Sequence, residues 1–62
     1  MKEQEILEHR LYNYKSIIEK DNISETDRIW AKEKFYSAIE HMQKERYKVP
    51  DDYLIFYERL KK

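Results

Sequence analysis

Glycine and cysteine are absent from this 62-residue sequence, and proline occurs once. Without cysteine the chain can form neither a disulfide nor a cysteine-based zinc site, and two histidines do not make a structural metal cage. Without glycine it can form no glycine-rich phosphate loop. A chain this short buries a small core, so its stability has to come from regular helix packing, from self-association, or from both.

The sequence also lacks a net charge and a long apolar segment. Its 13 basic residues balance 13 acidic ones, whereas nucleic-acid binders usually carry a basic excess, because phosphate neutralisation supplies much of their affinity. No apolar run approaches the roughly 20 residues of a membrane span. The first five residues lack the apolar core of a signal peptide. We therefore expect a soluble, cytoplasmic protein that enters no membrane.

Charged and aromatic residues are abundant instead. The chain contains six tyrosines, two phenylalanines and one tryptophan, and 42% of its residues are charged. Disordered chains are poor in aromatic residues, so this composition predicts a folded domain whose surface is suited to contacts with other molecules. The frequent Lys, Glu, Ile and Tyr, together with scarce alanine, are typical of AT-rich genomes and of short chains encoded by phages and other mobile elements.

The spacing of apolar residues predicts three helices and no strand. The first helix runs from about 2 to 20, and apolar residues recur along one face of it at spacings of four, three and four: Leu7, Leu11, Tyr14 and Ile18. The second runs from about 25 to 47, starts at a capping sequence with Ser24, and repeats the spacing: Ala31, Phe35, Ala38 and Met42. The third runs from about 51 to 61, after Pro50. In the absence of glycine, we expect Asn22 to adopt the left-handed conformation that ends many helices.

The first two helices are joined by so few residues that they must be antiparallel neighbours. Their apolar stripes then pair a larger residue with a smaller one or fill a gap: Leu7 with Ala38, Leu11 with Phe35, and Tyr14 with Ala31. The predicted fold class is therefore all-α, an antiparallel helical hairpin of two long helices plus a short C-terminal third helix. Residues 1–62 form one helical domain.

Apolar residues outside the hairpin seam are the candidates for a protein interface, because aromatic residues on a rigid helix are typical interface anchors. The candidates are Ile29, Trp30, Tyr36, Tyr47, Tyr53, Leu54, Ile55 and Tyr57. The alternative is an internal role for the same residues. The third helix can fold back over the stripe that contains Tyr36, and Trp30 can close the end of the hairpin on Ile18 and Ile23.

Catalysis is not expected from this sequence. No Ser, His and Asp set stands out, and the acidic pair Asp51-Asp52 is explained by the start of a helix. His9 and His41 are offset by more than a helical turn in the predicted register, so they do not suggest a metal site. We therefore predict no catalytic residue, no metal and no cofactor.

The favoured function is that of a small protein-binding module that modulates a larger cellular protein, such as a phage- or mobile-element-encoded inhibitor or adaptor. One alternative is a small nucleic-acid-associated protein, because basic residues follow the second helix: Lys32, Lys34, Lys44, Arg46 and Lys48. The other is a purely structural oligomer subunit. Since the third helix is apolar on most sides, we also expect a homodimer with that helix and the Tyr36 side of the second helix at its interface.

Overall fold

A computed structural model describes residues 2–62, and in them the chain forms three helices. Helix α1 spans Glu3–Glu19, α2 spans Glu25–Lys44 and α3 spans Asp51–Leu60. The predicted fold class, a hairpin of two long helices followed by a short C-terminal helix, is confirmed. Residues 2–62 contain no strand, and none of the three helices combines the length and the apolar character that crossing a bilayer requires.

The junction between α1 and α2 is closed by side chains. The Ser24 hydroxyl accepts a hydrogen bond from the backbone N–H of Asp27 at 3.1 Å, which confirms the predicted cap of α2. The guanidinium of Arg28 donates to the carbonyl of Lys20 at 2.8 Å and so satisfies an acceptor at the end of α1. The prediction for Asn22 is wrong, because Arg46 is the one residue with a positive φ in residues 2–62.

Helix α2 ends in a Schellman motif, a helix terminus closed by two backbone hydrogen bonds around a left-handed residue. Arg46 has φ 62° and occupies the left-handed position that glycine usually takes. Its N–H donates to the carbonyl of Gln43 at 3.1 Å, and the N–H of Tyr47 donates to the carbonyl of Met42 at 2.8 Å. This motif ends α2 at Lys44, before the predicted 47, and turns the chain back toward the core.

The core is continuous from the hairpin to α3. Its buried residues are Leu7, Leu11, Ile18, Ala31, Phe35, Ala38, Ile39, Met42, Val49 and Tyr57. Two contacts across the hairpin fix its register: Glu3 with His41, and the ring of Tyr14 with the ring of Trp30. Both agree to within one residue with the predicted register, in which Tyr14 faces Ala31.

Helix α3 folds back over one side of the hairpin and packs through aromatic rings. The edge-to-face contacts join Phe35 with Tyr53 at 6.3 Å, Phe35 with Phe56 at 5.4 Å, and Tyr36 with Tyr57 at 5.5 Å between ring centroids. The Tyr36 hydroxyl donates to the carbonyl of Leu60 at 3.1 Å. On α1, the Nζ of Lys15 lies 4.9 Å from the centroid of Phe56. We call this side of the hairpin the covered face.

Candidate functional site

The other side of the hairpin carries an open groove between α1 and α2. The residues that line it all belong to these two helices: Glu3, Ile6, Leu7, Arg10, Tyr14, Lys34, Ser37, Ala38 and His41. Its volume is about 450 Å³. Successive residues of a helix are rotated by 100°, so Lys34 and Tyr36 point to nearly opposite sides of α2. Helix α3 covers Tyr36 and leaves the groove at Lys34 open.

Apolar side chains form the floor and one end of the groove. Leu7 is 6% exposed and Ala38 is 7% exposed, so both are buried at its floor, whereas Ile6 is 36% exposed at its edge. Trp30 is 48% exposed and contacts the Tyr14 ring edge-on, with 5.9 Å between centroids. A half-exposed tryptophan beside an apolar floor can dock onto an apolar partner without rearrangement of the core.

The charge along the groove is predominantly positive. Arg10 and Lys34 both line it, and neither forms a salt bridge within residues 2–62. The Nζ of Lys34 lies 6.0 Å from the centroid of the Trp30 ring, at the outer limit of a cation–π contact. The groove therefore presents two cations above an apolar floor.

The one carboxylate that lines the groove is held by other side chains. Glu3 Oε1 lies 2.7 Å from His41 Nε2, and its Oε2 accepts a hydrogen bond from the Tyr47 hydroxyl at 3.3 Å. The hydrogen bond with His41 lowers the pKa of Glu3, burial opposes this, and the Tyr47 bond adds to the lowering. For Tyr47, desolvation first and the neighbouring Glu3 charge second raise the pKa, so its hydroxyl remains a donor. This contact ties the start of α1 to the end of α2.

The eight interface candidates fall into three groups in the structure. Four of them are packed between α3 and the hairpin, with Tyr57 buried and the others half-buried: Tyr36, Tyr53, Leu54 and Tyr57. Tyr47 is half-buried and bonded to Glu3. Three are exposed: Ile29, Trp30 and Ile55. Two of the eight contact residues of the groove: the half-exposed Trp30 through Tyr14, and the half-buried Tyr47 through Glu3.

Sequence reasoning did not identify the groove. Tyr14 was assigned to the hairpin seam, Lys34 was considered only among the basic residues of the nucleic-acid alternative, and neither Ile6 nor Arg10 was a candidate. The predicted register could have indicated the groove, because it places Arg10 and Lys34 opposite each other once Tyr14 lies near Ala31. The alternative in which α3 folds back over the Tyr36 stripe is the one that the structure shows, and it leaves the opposite side of the hairpin open.

The groove holds no arrangement that suggests catalysis. Its titratable residues are Glu3, Arg10, Tyr14, Lys34 and His41, and none of these forms a hydrogen bond with Ser37, the one serine of the lining, in residues 2–62. Among the same residues, no cluster of three or more His, Asp or Glu side chains could hold a metal ion.

Comparison with protein-family models, with curated proteins and with solved structures gives no match for the chain. No family is assigned on this basis.

Proposed function

We propose that this protein is a non-catalytic binding module that attaches to a larger protein through its open groove and modulates that protein. The observation that carries the proposal is the contrast between the two sides of one hairpin. Helix α3 buries the aromatic residues on the covered face, whereas Trp30 and Ile6 remain exposed beside the buried floor of the groove. Exposed aromatic and apolar side chains on a rigid scaffold are typical anchors of protein interfaces.

The distribution of charge supports a protein partner over nucleic acid. Lys32 and Lys34 lie about 200° apart around α2, so the basic residues of this helix do not form one stripe. Lys32 is half-buried, and Arg46 and Lys48 follow the end of the helix. Binding to a nucleic-acid backbone usually requires several cations on one surface, and the groove provides two.

A cytoplasmic location and an inhibitor or adaptor role, encoded by a phage or another mobile element, belong to the same proposal. They are supported by the absence of cysteine, by the composition and by the lack of catalytic groups in the groove. Modulation by such a protein would follow from occupying a surface that its partner uses for another contact.

Site-specific photo-crosslinking in the native cells tests the proposed surface. A photoreactive amino acid replaces Ser37, an exposed residue of the groove, and in a matched control it replaces Glu58, an exposed residue of α3. We expect the Ser37 position to crosslink to one discrete larger protein, identified by mass spectrometry, and the Glu58 position not to do so. Crosslinking from Glu58 alone, or from neither position, would contradict the proposal.

A homodimer through α3 is proposed independently of the groove. The Tyr36 side of α2, the other part of the predicted interface, packs against α3 in the monomer. Most apolar residues of α3 face the hairpin, and Ile55, 52% exposed, is the large apolar residue that α3 leaves on its outer side. Sedimentation equilibrium should detect a dimer at tens of micromolar that Ile55→Glu weakens and Ile6→Glu does not. A wild-type protein that stays monomeric at hundreds of micromolar would exclude the dimer.

A further inference from the structure

The groove carries two cations that form no salt bridge with another side chain of residues 2–62, against one carboxylate. Arg10 on α1 and Lys34 on α2 occupy facing positions in the hairpin register, and both line the groove. Neither forms a salt bridge within residues 2–62, and the Glu3 carboxylate is engaged by His41 and Tyr47. A complementary occupant would therefore bring carboxylates of its own.

The shape of the groove fits a helix. Its α1 wall extends from Glu3 to Tyr14, which at 1.5 Å per residue is roughly 17 Å, or three helical turns. Its floor is buried and apolar at Leu7 and Ala38. A helix that lies between two antiparallel helices packs its apolar ridge into the space between them, as helices do within a protein core.

A second copy of this chain fits the groove poorly. In a two-fold symmetric dimer the same surface meets itself, so that two Arg10 and two Lys34 side chains would be brought into one apolar interface. Like charges brought together at an interface oppose association. The one carboxylate that lines the groove, Glu3, is held by His41 and Tyr47, and one carboxylate in each copy does not offset two cations. The occupant that satisfies both shape and charge is a foreign, acidic segment.

We propose that the open groove binds one amphipathic helix of the partner protein, about three turns long. Its apolar side chains pack on Leu7, Ala38 and Trp30, and its flanking carboxylates pair with Arg10 and Lys34. This inference rests on the proposed function and adds the chemistry of the partner to it.

Selection from a display library of helical peptides tests the inference on the full-length chain. The library keeps a helix-forming scaffold and randomises the positions on one face and at its two flanks. We expect selected binders to carry an apolar ridge with Asp or Glu beside it. The best binder is then synthesised in its acidic form and with Gln or Lys in place of every flanking carboxylate, and each is titrated by fluorescence anisotropy. The Lys form should bind about tenfold more weakly or worse, because it repels Arg10 and Lys34.

A charge-reversed variant gives the matched control. Arg10→Glu combined with Lys34→Glu changes exposed or groove-edge residues and leaves the buried floor intact, and circular dichroism checks its fold. This variant should prefer the Lys form of the peptide over the acidic form. Equal binding of all three forms to the wild type would overturn the acidic chemistry and leave the groove as a binding site. In that case, weaker peptide binding to Ile6→Glu or Trp30→Ala would show that the peptide still binds in the groove.

Three other results would overturn the inference. The first is a library that yields no binder. The second is a binder whose affinity is unchanged by both Ile6→Glu and Trp30→Ala, which would also overturn the proposed use of the groove. The third is a single-stranded oligonucleotide, titrated in parallel, that binds more tightly than any selected peptide and loses this affinity in the charge-reversed variant.

Discussion

The covered face and the open groove are the two sides of the same pair of helices, and they differ in how their apolar residues are used. On the covered face, Phe35 is fully buried and meets two rings of α3 edge-on. On the groove side, Trp30 meets one ring, that of Tyr14, and 48% of it stays exposed. A third helix from the same chain completes the first side, whereas the second side has the shape and composition that would accept a helix from elsewhere.

The charged side chains of the covered face and of the groove also differ. The covered face includes Lys15, which is paired with Glu19 at 2.9 Å and also lies over the Phe56 ring. The groove cations, Arg10 and Lys34, form no salt bridge in residues 2–62. In the proposal above, the carboxylates of the partner helix are the complement of these two cations.

The largest expected effect is the loss of Phe35 from the covered face. Phe35→Ala removes the ring that both Tyr53 and Phe56 contact, and it should lower the free energy of unfolding by about 3–5 kcal/mol. In a small domain this loss is large enough to unfold the protein at ambient temperature. Urea denaturation followed by circular dichroism measures it.

Trp30→Ala is the matched control, because it also removes an aromatic ring but from the groove side. We expect less than half of the loss seen for Phe35→Ala, since half of the Trp30 surface is already exposed. Equal losses for the two variants would show that both sides contribute alike to the core, and the comparison between the faces would fail.

The next largest loss of stability is expected when the hydrogen bond at the end of α3 is removed. Tyr36→Phe keeps the ring contact with Tyr57 and removes the hydroxyl that donates to the carbonyl of Leu60. The free energy of unfolding should fall by about 0.5–1.5 kcal/mol. Tyr14→Phe is its counterpart on the groove side and should change stability little, because no hydrogen bond of the Tyr14 hydroxyl is present in residues 2–62. Thermal melts that rank the two variants in the opposite order would contradict this assignment.

A gain in stability is expected at the turn that directs α3 onto the covered face. Arg46 has φ 62°, a conformation that costs a residue with a Cβ roughly 1–2 kcal/mol. Arg46→Gly should therefore raise the free energy of unfolding, by about 0.5–1 kcal/mol once the greater freedom of the unfolded glycine chain is included. Arg46→Ala is the control, because it removes the same charge but keeps the Cβ. If Arg46→Gly and Arg46→Ala are equally stable, relief of backbone strain at Arg46 does not explain a gain in stability.

The sequence was sufficient to predict the hairpin, and it offered the Tyr36 stripe as a surface that the third helix could cover, as it does; it was insufficient to predict the groove on the other side. Apolar spacing predicted three helices, and the pairing of stripes placed Tyr14 within one residue of its observed partner, because helical periodicity is a local property. The end of α2 was misjudged because the left-handed residue is Arg46, a residue type that carries no signal for that conformation. The groove was missed because its definition depends on the path of α3, which is decided by the turn and by contacts far apart in sequence.

The smallest effect concerns the contact between Glu3 and His41 at the edge of the groove. The hydrogen bond with His41, and to a lesser extent that with Tyr47, lowers the pKa of Glu3 in the folded protein below its ordinary value of 4.5. A carboxyl with a lowered folded pKa contributes stability that is fully present above 4.5 and is lost as the pH falls through the folded pKa. Glu3→Gln removes this titration, so the melting temperature of the variant should fall less steeply than that of the wild type in that acidic range. Glu5→Gln serves as the control, since Glu5 is also in the first turn of α1 and forms no salt bridge in residues 2–62. If the wild type and Glu3→Gln lose stability identically on acidification, the contact between Glu3 and His41 does not hold the two helix ends together in solution.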